Sequence, residues 1–255
     1  MPVPSEAPPT PSETPSTPSP AAGKVDWQGL APIDLLVDEV KQIRVRLEKN
    51  LQKVGDFNKN VGAISTDAAV LAAIAGVVER HPEKVNWKAK ASNIRDLAGE
   101  VYMKAEGSGS KPFNATKTPF EDIKRLLDGE SAAKEAATAA PFAESADRGA
   151  LMKRLESTYN SLKSNVNSPG RLKEEAENVH RELSIMSVLI TVMADESYDQ
   201  ASDPRYAAFV SKIVEQQKAS DEAARGGNFD DFSANLSKIN VTCNECHMLF
   251  RSTSE

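Results

Sequence analysis

The chain is short of residues that would point to several common functions. Aromatic residues make up only 5% of its 255 positions, and runs of β-branched residues are rare. Ala, Leu, Lys and Glu are plentiful instead, a helix-forming bias with little material for sheets. The net charge is −6 and no basic patch stands out, which argues against nucleic-acid binding. No apolar run is expected to reach the roughly 18–20 residues that span a bilayer, so no transmembrane segment is expected. No substrate-pocket signature is present, so the chain is not read as an enzyme. Apolar residues at 40% and charged residues at 27% are ordinary for a soluble globular protein, and the length suits one large domain or two of common size.

Residues 1–23 stand apart. They hold eight of the fifteen prolines, mixed with Ser, Thr and Glu. Such a segment has little to bury and is expected to be an extended, disordered tether. It lacks the basic start and apolar core of a signal peptide. A spacer holding the globular part away from an anchor or a preceding domain is the sharper alternative.

Beyond residue 24 the pattern is helical. Leu36, Val40, Ile43, Leu47, Leu51 and Val54 recur every three or four residues, the stripe of an amphipathic helix. A second helix is expected from about Asn60 to Pro82, and a third from about Asn86 to Ala105. A fourth is expected to open at Pro119 and run into the Ala-rich stretch of residues 131–140. The second half repeats the plan. Leu151, Leu155, Leu162 and Val166 share a face. Asn178-Val179 can be laid on Asn60-Val61, Tyr206 falls near Trp87, and Gly226-Gly227 stands where Gly107 and Gly109 break the first half. Phe229, Phe232, Leu236, Ile239, Cys243, Cys246 and Phe250 then form a continuous seam. The expected fold is all-α, with two tandem four-helix bundles over 24–142 and 143–255. A single eight-helix domain is the alternative.

The only two cysteines, Cys243 and Cys246, lie three apart with His247 directly behind. Cys-x-x-Cys-His is the attachment signature of c-type haem. On a helix, positions i, i+3 and i+4 share a face, so two thiols can bond one porphyrin edge while the imidazole meets the iron as proximal ligand. A redox dithiol or half of a zinc site are the competing readings. The zinc reading lacks further cysteine ligands, and a thioredoxin-like dithiol belongs at a strand-to-helix junction. Of the other histidines, His81 precedes a proline at a helix end and His180 sits among charged residues; both are expected to be solvated and unligated.

From about residue 147 to 253 the chain resembles the cytochrome c′ family, on the stretch Cys243, Cys246, His247, Phe250 and Arg251 and on a first-helix pattern with Tyr159 and Leu162-Lys163. The resemblance implies a four-helix bundle with one covalent haem c, and Phe250 and Arg251 beside it. It also implies that the family's distal residue falls eleven positions before Lys163, at Met152. A methionine there implies six-coordinate iron and electron transfer, with Met186 and Met193 as core residues. An open distal face implies the alternative, a five-coordinate protein that binds NO or CO. The first half lacks the motif. With Phe120 laid on Phe229, the positions of the two cysteines and the histidine fall on Lys134, Ala137 and Thr138, so that half is expected to bind no c-type haem. It is read as an interaction or structural module, which could dock a redox partner or mimic a homodimer contact. Thioether formation takes place outside the bacterial cytoplasm, so a periplasmic or otherwise exported protein is expected, with no export signal visible in the sequence.

Overall fold

The structure is a computed structural model, and it describes residues 25–132 and 136–251. The expectations placed on residues 1–23 and on Lys134 lie outside the described residues. The described residues are helical, with no strand among them.

A short α1 (Trp27–Leu30) is capped by Asp26, whose carboxylate accepts from the Gly29 N–H at 3.0 Å. It leads into α2 (Ile33–Asn50), whose predicted stripe residues Leu36, Val40, Ile43 and Leu47 are all buried. Next comes α3 (Val54–Arg80). This helix starts earlier than the sequence suggests. Asn60 leaves helical geometry and its side-chain amide donates to the Asp56 carbonyl at 2.8 Å, so the break at 60 is a kink inside a longer helix. α3 is long and apolar enough to cross a membrane by length and composition alone, a test that a buried core helix also passes. Its all-round apolarity has another use here. It packs against α2 on one side and, on others, against α4 (Ala91–Lys104), α6 (Arg148–Asn165) and α8 (Ala176–Val192), so most of it is buried.

The fourth helix corrects the sequence reading. α5 runs from Ser110 to Leu127, with Pro119 in its interior. It ends because Gly129 adopts a left-handed φ of 106°. The Gly129 N–H donates to the Leu126 carbonyl at 3.2 Å and the Glu130 N–H to the Arg125 carbonyl at 2.9 Å, a Schellman cap that stops the helix ahead of the Ala-rich stretch. The described residues of 131–140 are not helical. They are strapped to α3 and α4 instead: Arg95 donates to the Ala137 carbonyl at 2.7 Å and Arg80 to the Ala140 carbonyl at 2.8 Å. Ala137 and Thr138 are therefore not on a helix. Counted from helix starts, Lys124, Leu127 and Asp128 fall level with the motif residues of the last helix.

In the second half, Asp147 caps α6 and accepts from the Ala150 N–H at 2.7 Å. The short α7 (Pro169–Glu174) precedes α8. α9 (Pro204–Arg225) opens with Pro204 in its first turn and the Asp203 carboxylate on the Arg205 N–H. The predicted Gly-Gly break ends it. Gly227, at φ 71°, donates to the Ala224 carbonyl at 3.0 Å, and Asn228 donates to the Ala223 carbonyl at 2.9 Å. Asn228 then caps α10 (Phe229–Phe250), so the chain reverses within two residues and α10 packs along α9. α6 packs on α8 and α10, and α8 on α9. Buried side chains from Trp27 to Cys246 form one continuous apolar core that includes residues of both halves.

Two histidines differ from expectation. His81 is buried, with Nε2 3.3 Å from the Ala31 carbonyl and Nδ1 accepting from the Glu83 N–H at 3.2 Å. Pro82 ends the helix there and the ring fills the gap under the α1–α2 junction. His180 is half-buried and its Nδ1 lies 2.9 Å from the Asp221 carboxylate on α9.

Candidate functional site

The seam predicted for the last helix exists. Phe232, Leu236, Ile239 and Cys246 on α10 are buried, and Phe229, Cys243 and Phe250 pack against the same core. The helical phase brings Cys243, Cys246 and His247 to one wall of a cavity of about 860 Å³. That is within the roughly 300–1,000 Å³ of ligand pockets. Phe250 and Arg251 line the same cavity, and so does Met152 from α6. All six residues singled out in the sequence are thus gathered around one space, although Met152 lies about ninety positions before the motif. Met186 also faces it, from α8, and Met193 is buried elsewhere in the core.

The electrostatics keep the motif uncharged. Burial pushes the Cys243 thiol up to about 11, with the neighbouring Cys246 adding to the rise. Burial also raises Cys246, against the pull of Arg148. Both cysteines are free thiols. A redox dithiol needs the opposite, a thiol stabilised as thiolate by a cation or helix N-terminus. These two lie near the C-terminal end of α10, where the helix dipole disfavours an anion. Burial holds His247 below the usual imidazole range, and the charges of Arg251 and Arg148 lower it further against a smaller opposing effect of Glu156. A neutral imidazole has a free nitrogen lone pair, the form that ligates metal. Among the described residues, no group of three or more His, Cys, Asp or Glu side chains is arranged to hold a bare metal ion.

The wall made by α9 has a pattern the sequence reading missed. Tyr206 and Gln217 line the cavity and are each 1% exposed. Neither the Tyr206 hydroxyl nor the Gln217 Nε2 has a hydrogen-bond partner. The Arg148 guanidinium sits 6.0 Å from the Tyr206 ring centroid, and its positive charge works against the rise that burial gives the Tyr206 hydroxyl. Eleven residues along a helix is about 16 Å and close to the same face. Ile213 lies between the two and also lines the cavity. The wall therefore reads polar, apolar, polar, which suits a broad apolar molecule with polar ends. Tyr206 is held edge-on to Phe250, with ring centroids 5.4 Å apart, so the aromatic pair braces α9 against the end of the motif helix.

A second cleft of about 610 Å³, between α3 and α6, is lined in part by ion pairs. Arg46 pairs with Asp67 at 2.7 Å and Arg154 with Glu182 at 2.8 Å. No protein-family model matches the chain, and neither a curated protein nor a solved structure matches it.

Proposed function

We propose that the chain is a c-type cytochrome that carries one covalently bound haem c in the cavity between α6, α8, α9 and α10. The observation that carries this reading is the convergence of the Cys-x-x-Cys-His side chains and Met152 on one space of suitable size. The buried, unpaired polar atoms at its two ends fit the same occupant.

When bound, the haem would supply reversible one-electron chemistry at its iron. The chain's own residues do the rest. Cys243 and Cys246 would hold the group by thioethers, and His247 would offer its neutral imidazole nitrogen to the iron. Met152, on α6 across the cavity, would offer a thioether sulfur to the iron, a ligand that favours the reduced state and raises the potential. Phe250 and Arg251 flank the histidine. Electron transfer to a partner protein is the leading activity. Leu155, Met186 and Ile190 give the cavity an apolar wall beside Met152, which also suits a five-coordinate protein binding NO or CO.

We further read the helices as two tandem four-helix sets, α2–α5 and α6 with α8–α10, divided near residue 142. The first set, without the motif, acts as an interaction or structural module, and the protein is exported, where thioethers are made. A pyridine haemochrome assay with a reduced spectrum tests the haem reading. One covalent haem per chain with sharp α and β bands is expected. Two haems, or none, would overturn it, and a broad high-spin spectrum would select the gas-binding alternative.

A further inference from the structure

The α9 wall of the cavity includes a side chain that the protein only half uses. The Gln217 Oε1 accepts from the Ser187 hydroxyl of α8 at 2.8 Å. The same hydroxyl lies 3.0 Å from the Leu183 carbonyl; with its one proton on Gln217, the contact fixes the amide by its oxygen. The other end, Nε2, is buried without a partner. An unpaired buried donor costs stability, and leucine or methionine would fill a purely structural position better. The amide shares its cavity with Met186, Ile239 and Cys243.

We propose that Gln217 is a recognition residue whose amide nitrogen donates a hydrogen bond to an acceptor oxygen of the group bound in this cavity, with Ser187 as its positioning residue. This rests on the haem reading above. Two such oxygens come with a haem: that of an edge carboxylate, and that of a diatomic molecule held at the iron. A donor on the carboxylate favours its ionised form and lowers its pKa. The reduction potential then changes with pH in a lower range. A donor on bound CO draws charge onto its oxygen and lowers the C–O stretching frequency.

The test uses the full-length haem-loaded protein, Gln217→Leu and Ser187→Ala. The potential is measured against pH, and the C–O stretch is measured in the ferrous CO adduct. A carboxylate partner predicts that Gln217→Leu moves the inflection of the potential upward by about one pH unit, the equivalent of one hydrogen bond to a charged group. A diatomic partner predicts an upward shift of the C–O stretch with the potential profile unmoved. Ser187→Ala, which leaves the amide in place and loosens it, gives the same change at smaller size and covers the case in which Gln217→Leu does not fold. Covalent haem with neither property altered in either variant overturns this proposal alone. Absence of covalent haem overturns the haem reading together with it.

Discussion

Glu39 and Arg181 lie 142 positions apart and meet at 2.8 Å between α2 and α8. The Glu39 side chain is fully buried, and its other oxygen is 3.3 Å from both Arg46 and Arg154. Asp67 and Glu182 complete the group, so three carboxylates face three guanidinium groups. Burial works against the charge on Arg46 and Arg154, yet their carboxylate partners hold both above the ordinary arginine value. Such a cluster is tolerable only while it is complete, because a buried charge without a partner is expensive. It therefore fixes how α2 meets α6 and α8.

Removing Glu39 should be costly for that reason. Glu39→Ala is expected to destabilise the protein by about 3 kcal/mol, the lower end of the cost of breaking a buried pair. The lower end applies because each arginine keeps a second acceptor. Urea unfolding followed by fluorescence checks this, since both tryptophans, Trp27 and Trp87, lie in the first half. A loss under about 1 kcal/mol, the range of surface pairs, would show that the cluster is wetter than it looks. Haem absorbance reports on the second half, and the two signals should unfold together in the wild type.

The thiols give a pH test on the full chain made without haem. With Cys243 pushed up to about 11 by burial and its neighbour, it stays protonated at neutral pH and alkylates slowly. The rate should climb only as pH approaches that value. The sign for stability follows from the same shift. The folded chain binds this proton more tightly than the unfolded one, so stability holds below about 9 and falls as pH rises towards 11. Rapid alkylation at pH 7 would instead mark a thiolate and revive the redox-dithiol reading.

The junction before α10 can be tested without touching the site. Gly227 has φ 71°, and a Cβ added there would meet nothing within 4 Å. Gly227→Ala should therefore cost only backbone strain, about 1–2 kcal/mol, with the haem spectrum unchanged. Gly227→Asn should cost less, since asparagine tolerates this conformation. A changed spectrum would mean that the junction steers α10 more than its cap suggests.

What could be read from the sequence depended on how local the signal was. The α10 seam was visible because its period of three and four matches the helix, and its end carries the Cys-x-x-Cys-His motif. Met152 was reached only through the family resemblance, because it sits on another helix. Gln217 does leave a trace: Tyr206, Val210, Ile213, Gln217, Ser220 and Ala224 form one stripe of four-and-three spacing, and all six are buried. An amide on an apolar stripe signals a buried polar group. Glu39 leaves the same kind of trace, three residues after Leu36 and four before Ile43 on the α2 stripe, but its partners Arg154 and Arg181 arrive from 115 and 142 positions away. The fourth helix was misplaced because Pro119 reads as a start and alanine as helix. The deciding residue was Gly129, whose left-handed cap outweighs the propensity beyond it.

The axial ligand is the most informative substitution. If the Met152 sulfur binds the iron, Met152→Ala opens the distal side. Ferric and ferrous spectra should move from low spin to high spin, and CO should bind faster and more tightly because no sulfur has to be displaced. The potential should fall as the thioether is lost. Met186 is the necessary control, since it lines the same cavity from α8 and is almost fully buried. Met186→Ala should leave the iron low spin and cost about 2–5 kcal/mol of packing, whereas Met152, only half-buried, should cost less. The reverse pattern would move the ligand to α8. A wild-type protein that is already high spin and takes up CO readily would leave both methionines as cavity wall, and the protein would then be a gas binder.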